Sequence, residues 1–277
     1  MISELCIFNI ESGQVSVHFR ADWHLEAPNW SPDGSELIFN ADGRLYRIAT
    51  TAHAQPQLID TGFAQACNND HGISPDGTLL VISDKTETGV STIYTLPYGG
   101  GRPHQITTQT PSYWHGWSPD GARLAYVGRR NGGAFQVYTI AVDGGPEFQV
   151  THDFDHCDGP DYTPDGRWIW FNGERDGHVN LWRVSPYGSD LQQMTHDRSV
   201  NWFPHPSPDG ESILYLAYPE GTLGHPANLP VALRLMPADA GSGPVTLTEF
   251  RGGQGSINVP CWSPDSRSFA FVRYPDG

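Results

Sequence analysis

Cysteine is scarce in this sequence and never paired by spacing. Cys6, Cys67, Cys157 and Cys261 are the four, with no C-x-x-C and no metal-finger interval. Scattered thiols in a chain of 277 residues suit reduced, buried cysteines better than a disulfide framework. Positive charge is short as well: 16 Lys and Arg stand against 31 Asp and Glu, a net charge of −15. A surface so acidic repels phosphate backbones, so a nucleic-acid partner is not expected. No apolar run exceeds strand length, which leaves no membrane-spanning helix. The N-terminus, MISELCIFNIESG, carries Glu4 and lacks a basic region, so it does not read as a signal peptide. The expectation is a cytoplasmic chain, with the periplasm as the alternative if a leader has been removed. A G-x-S-x-G nucleophile elbow, a P-loop and a G-x-G-x-x-G opening a helix are all missing. The glycines of YGGGRPH (98–104) lie in a hairpin turn instead.

Turn formers are abundant. The 31 Gly and 23 Pro make up about a fifth of the chain, against roughly 12% in average proteins. Many of them belong to one pentapeptide: WSPDG (30–34), ISPDG (73–77), WSPDG (117–121), YTPDG (162–166), PSPDG (206–210) and WSPDS (262–266). Their prolines, at 32, 75, 119, 164, 208 and 264, are 43 to 45 residues apart, except for a last step of 56. Ser or Thr opening the turn, Pro presetting φ, then Asp and Gly, describe a type I turn. Ser266 replaces the last glycine in the sixth copy, so that turn should be less relaxed. Apolar residues flank each turn at strand spacing, as in ARLAYVG and RWIWFNG, and two further strands follow before the next turn.

Four strands per repeat at this period predict an all-β, six-bladed β-propeller of four-stranded antiparallel blades. Blade 6 begins at INVPCWSPDS and the chain ends after two strands, while SELCIFNI and QVSVHFR at the other end lack a preceding turn. Counted through the termini, the last interval is again one repeat. Residues 1–20 should therefore complete blade 6 with 257–277, making 1–277 one propeller and closing the ring without free sheet edges.

The repeated W-S-P-D-G turn and the I-Y type third strand resemble the TolB-like β-propeller repeat family over essentially the whole chain. That resemblance implies the propeller fold. It leaves function open, because the repeat serves binding proteins, peptidase propellers and some polysaccharide lyases. The N-terminal domain of TolB itself has no counterpart in residues 1–20, which already read as strands. Some oligogalacturonate lyases resemble the chain by repeat type and place metal-binding histidines at a propeller mouth. They are longer by a blade, so no residue carries over individually.

Propeller ligands sit at the mouth opposite the repeated turns, where the links between blades converge. Seven of the twelve histidines fall in those links and inner strands: His24, His71, His115, His152, His156, His196 and His205. His71, His115 and His156 come from consecutive blades and are expected to converge on one ligand, with Asp70 or Asp158 beside them. Imidazoles with carboxylates suit a divalent transition metal or proton transfer. They also serve as plain hydrogen-bonding residues between blades. Counted by alternation, His115 lies on the same strand face as Trp117. Tyr113, Trp114 and Trp202 enter at the same level as stacking platforms, and Glu26 and Asp158 occupy matching positions in blades 1 and 4. The extra length of blade 5, centred on PEGTLGHPANLP (219–230), should fold over the mouth and bring His225 to it. The leading expectation is a monomeric binding module taking a small molecule, an oligosaccharide or a protein segment at the mouth. The alternative is a metal-dependent polysaccharide lyase or hydrolase using the mouth histidines.

Overall fold

Side-chain hydrogen bonds within the repeated turn explain why its residue pattern recurs along the chain. In each copy the first side-chain hydroxyl donates to the Asp carboxylate, at 2.6 Å for Ser31–Asp33, Ser118–Asp120 and Thr163–Asp165. The same carboxylate oxygen accepts the backbone N–H two residues on, as from Ser35 and Ala122 at 3.0 Å. The fifth residue stands in the left-handed region, with φ of +73° at Gly34 and +70° at Gly121, which glycine adopts without steric cost. Ser266 holds φ +60° there, and its hydroxyl accepts the backbone N–H of Asp209 from the neighbouring turn at 3.0 Å. The other turns interlock by packing: a Cβ on Gly77 would meet Pro32, and one on Gly121 would meet Pro75.

Each turn joins the inner two strands of a blade in the computed structural model, which describes residues 2–275. Blade 1 comprises Glu26–Trp30, Glu36–Ala41, Arg44–Ala49 and Gln57–Leu58, and blade 2 comprises Cys67–Ile73, Leu79–Asp84, Thr92–Pro97 and His104–Gln105. Blade 3 follows with Ser112–Trp117, Arg123–Arg129, Phe135–Ala141 and Phe148–Gln149. Blade 4 has His156–Tyr162, Ile169–Arg175, His178–Val184 and Gln192–Gln193. In blade 5, Val200–Pro206, Ser212–Tyr218, Leu229–Pro237 and Val245–Gly252 complete the pattern, with outer strands longer than in the first four blades. All pairings are antiparallel, and no helix occurs among the described residues.

Blade 6 closes the ring through the N-terminus. Ser3–Asn9 pairs antiparallel with Ser268–Arg273, in register from Glu4↔Arg273 to Asn9↔Ser268, and Val15–Ala21 forms the outer strand. Phe8 stacks on Phe269 at 4.9 Å, and Arg273 Nε donates to Glu4 at 2.7 Å. The innermost strand of this blade is irregular. Only Trp262 bridges to Phe269, while Ala270 N donates to Cys261 O and Val272 N to Ser256 O. Pro260 has no N–H for a ladder, and residues 257–260 leave the blade between the bonds at Cys261 and Ser256.

Those residues cross the propeller axis instead. Val259 packs with Ala27 of blade 1, Val81 of blade 2 and Trp114 and Trp117 of blade 3. Asn29 of blade 1 donates to Pro260 O at 2.6 Å, and His205 of blade 5 bonds Ile257 O at 2.6 Å. The mouth therefore has a floor.

Candidate functional site

The inner strands of blades 1 to 5 all carry a β-bulge at the same height. Pairing slips between Glu26 and Asn29, Cys67 and His71, Trp114 and Gly116, Asp158 and Asp161, and Trp202 and His205. A bulge adds a residue without a ladder partner and re-aims its side chain. His115 is that residue in blade 3, so the alternation that placed it on the face of Trp117 does not hold. Trp117 packs in the core between blades, whereas His115 reaches toward the axis, its Nδ1 at 3.1 Å from Asn258 O.

Around it lies a cavity of about 560 Å³, lined by inner-strand residues of blades 1 to 4 and by the segments that carry His24, His225, Gln254 and Asn258. Six expected residues line it: Asp70, Tyr113, His115, His156, Asp158 and His225. Three do not. Trp114 is fully buried and wedged against Gly72 of blade 2, where a Cβ would lie 2.1 Å from its ring. Trp202 forms a layer beneath the lining, with the His225 ring 4.3 Å away. His71 is 0% exposed, and burial pushes its imidazole down to about 4, leaving it neutral and outside the cavity.

Asp158 is the hub. Its Oδ1 lies 2.8 Å from His115 Nε2, and its Oδ2 lies 3.5 Å from His225 Nε2 and 3.9 Å from His156 Nε2. Burial works to raise its pKa, but the charge and hydrogen bond of His115, with His156 and His225, hold it well below the usual carboxylate range. Burial likewise opposes the charge on His115, and the carboxylates of Asp158 and Asp70 overcome it, lifting the imidazole to about 9. His156 is raised by Asp158 against burial, whereas burial prevails at His225 and lowers it. Asp70 is pushed up to about 7 by burial, with Asp158 and Glu26 adding to the effect and His115 opposing it. Glu26 stays ionised: His24, at 3.1 Å, and Asn40, donating at 3.0 Å, outweigh its burial.

The blade 5 insertion reaches this site. The connection occupies 219–228, shorter than the span read from sequence because Leu229 and Pro230 already belong to the third strand. His225 bonds Gln254 through Nδ1, and Tyr218 donates to Pro226 O at 3.0 Å. Gly253 lies so close beneath that a Cβ would meet Pro226 O at 2.1 Å.

The expected metal trio does not form. Among the described residues no three His, Cys, Asp or Glu side chains are arranged to hold a metal ion. His71 is withdrawn, and both ring nitrogens of His115 are engaged, one with Asp158 and one with a backbone carbonyl. Sequence reasoning missed Asn40, Asn68, Gln254 and Asn258, which also line the cavity. Asn40 and Asn68 are strand residues that belong to no motif, and Gln254 and Asn258 lie in a segment that departs from the repeat.

Comparison with known proteins places these features. The model of the TolB beta propeller domain matches residues 114–232. An uncharacterized protein of Agrobacterium fabrum is 48% identical over 274 residues, covering 99% of this chain and 93% of that protein. The structure of a candidate TolB from Agrobacterium tumefaciens has 47% identity and a TM-score of 0.96, covering 99% of this chain and 98% of that one. TolB from Acinetobacter baumannii shares the fold at 15% identity and a TM-score of 0.71, over 91% of this chain and 64% of its own. An oligogalacturonate lyase in complex with manganese shares it more loosely, at 12% identity and a TM-score of 0.57, over 90% and 67%. The chain belongs to the TolB-like β-propeller family.

Proposed function

We propose that this propeller is a binding module whose ligand is a small polar molecule held in the mouth cavity beneath the 219–228 connection. The observation that carries this reading is the cavity itself. Its volume of about 560 Å³ falls in the range of small-molecule sites, and carboxylates, imidazoles and amides converge on it from several blades. Tyr113 and Phe135, edge to face at 5.9 Å, supply an apolar wall. His115 and Asp158 form the rigid base that orients the remaining groups, and His225 ties the connection to that base.

Among the described residues the lining contains no Lys or Arg. A uronate or phosphate ligand would meet Glu26, Asp70 and Asp158 without a basic clamp. That charge pattern, with His115 held between Asp158 and a backbone carbonyl, weighs against the metal-dependent lyase alternative. The test is a thermal-shift screen of neutral, cationic and anionic small molecules on the wild type and on Tyr113→Ala. Stabilisation by one class, lost in the variant, supports the reading. Equal shifts in both proteins place binding elsewhere.

A further inference from the structure

Asp70 carries an incompletely bonded carboxylate in the cavity. The residue is 5% exposed, yet among the described residues its carboxylate accepts one hydrogen bond, from Asn68 Nδ2 to Oδ2 at 2.6 Å. Oδ1 faces His115 Nε2 at 3.9 Å, beyond hydrogen-bonding reach, and that nitrogen is committed to Asp158. An ionised carboxylate offers about four acceptor positions, and buried polar groups are normally satisfied. Blade 1 adds acceptors to the lining in Asp42, Asn40 and the Glu26 carboxylate, the last already meeting His24 at 3.1 Å, Asn40 at 3.0 Å and Asn69 at 3.4 Å. The Asn40 Nδ2 is given to Glu26, and its buried Oδ1 has no donor among the described residues. Of the lining imidazoles, His115, His156 and His225 lie on blades 3 to 5, while His24, just before blade 1, is turned to Glu26 at 3.1 Å.

We infer that the mouth cavity recognises a small molecule bearing a protonated amine, its ammonium seated against Asp70 Oδ1 with Glu26 and Asn40 Oδ1 as further acceptors. The inference rests on the mouth cavity being a ligand site. An ammonium presents three donors in compact form, matching three acceptors, and the Tyr113 ring in the same wall favours a cation beside it. His115 already offsets part of the Asp70 charge, but an anion at Oδ1 would meet Asp70, Asp158 and Glu26 together. Asp70 held at about 7 by burial and by neighbouring carboxylates agrees with a site awaiting a cation.

The experiment is thermal denaturation of the full chain at neutral pH with glucosamine, putrescine, glucose, galacturonate or Mn²⁺, each at millimolar concentration. An amine is expected to raise the melting temperature by ~5 °C near saturation, and glucose by far less. Glucosamine and putrescine distinguish an amino sugar from a linear amine. Asp70→Asn is expected to weaken amine binding at least tenfold without lowering the melting temperature of the free protein. If that variant does not fold, Glu26→Gln reads the same loss from the neighbouring blade. Unchanged amine affinity in the variants overturns the inference. Stabilisation by glucose, galacturonate or Mn²⁺ but by neither amine overturns the ammonium seat and leaves the mouth as a binding site. No shift with any of the five overturns both.

Discussion

His115 shows what one buried imidazole contributes when its partner is a largely buried carboxylate. Its pKa, raised from the usual 6.5 to about 9 by Asp158 and Asp70 against burial, favours the folded state below pH 6.5. That contribution is lost as the pH rises through 9, because the unfolded chain has already released the proton. Asp70 adds to the slope: raised to about 7, it keeps in the folded state a proton that the unfolded state loses near pH 4. The melting temperature should therefore be higher at pH 6 than at pH 9, and the difference should shrink in His115→Asn. Asp158→Asn removes the carboxylate that keeps His115 charged and should cost about 3 kcal/mol in urea denaturation, the usual loss for breaking a buried ion pair. Equal pH profiles for wild type and His115→Asn would contradict this account. The four cysteines are buried and free, and burial lifts Cys6 and Cys157 to about 12. Ellman's reagent should label none of the four in the native protein and all after unfolding.

The repeated turn sets the energetics of the individual elements. Gly121→Ala places a Cβ at φ +70° and should cost about 1 kcal/mol. Ser266→Gly relieves the same strain at φ +60° but removes the hydrogen bond from Asp209 N. Its stability should stay within about 0.5 kcal/mol of wild type, since the two effects are of similar size. A fall of several kcal/mol would mean that the link between the turns of blades 5 and 6 holds the ring more firmly than one hydrogen bond can. In blade 4 the corresponding connection between second and third strands is Asp176–Gly177 alone, at φ +53° and +72°. Replacing 219–228 by Asp-Gly should leave the fold intact and expose Trp202, on which His225 now rests. Stronger acrylamide quenching of tryptophan fluorescence would report that exposure, and unchanged quenching would show that the connection does not cover the site.

At the scale of the whole molecule, the ring depends on the pairing of Ser3–Asn9 with Ser268–Arg273. Deleting residues 1–20 would uncover Phe269, Phe271 and an open strand edge, so the truncated chain should be insoluble or lack a cooperative melt. A circular permutant opened at the Asn131–Gly132 turn, with the original ends joined, should fold, because it keeps every blade complete. Folding of the truncation with a native melting temperature would remove the argument for closure.

The blades, their number and the closure were legible in the residues, because each S-P-D-G turn is a local hydrogen-bonding device that works wherever strands flank it. The acidic balance and the free cysteines were equally plain, since composition needs no coordinates. The site was legible only in part. His156, Asp158 and His225 reach it as expected, and His115 reaches it by a different route, as the unpaired residue of a bulge. Alternation cannot reveal a bulge, which reverses the facing of the later residues in its strand. In blade 2 three residues, Asn68 to Asp70, stand opposite Ser83, and Asp70 rather than His71 lines the cavity. Residues 254–260 close the floor through contacts to blades 1, 3 and 5, distant in the chain and without a local signature. Local turn chemistry thus determined the architecture from sequence alone. Which side chains share one dielectric pocket, and hence which of them carry charge, was decided by the packing of six blades around one axis.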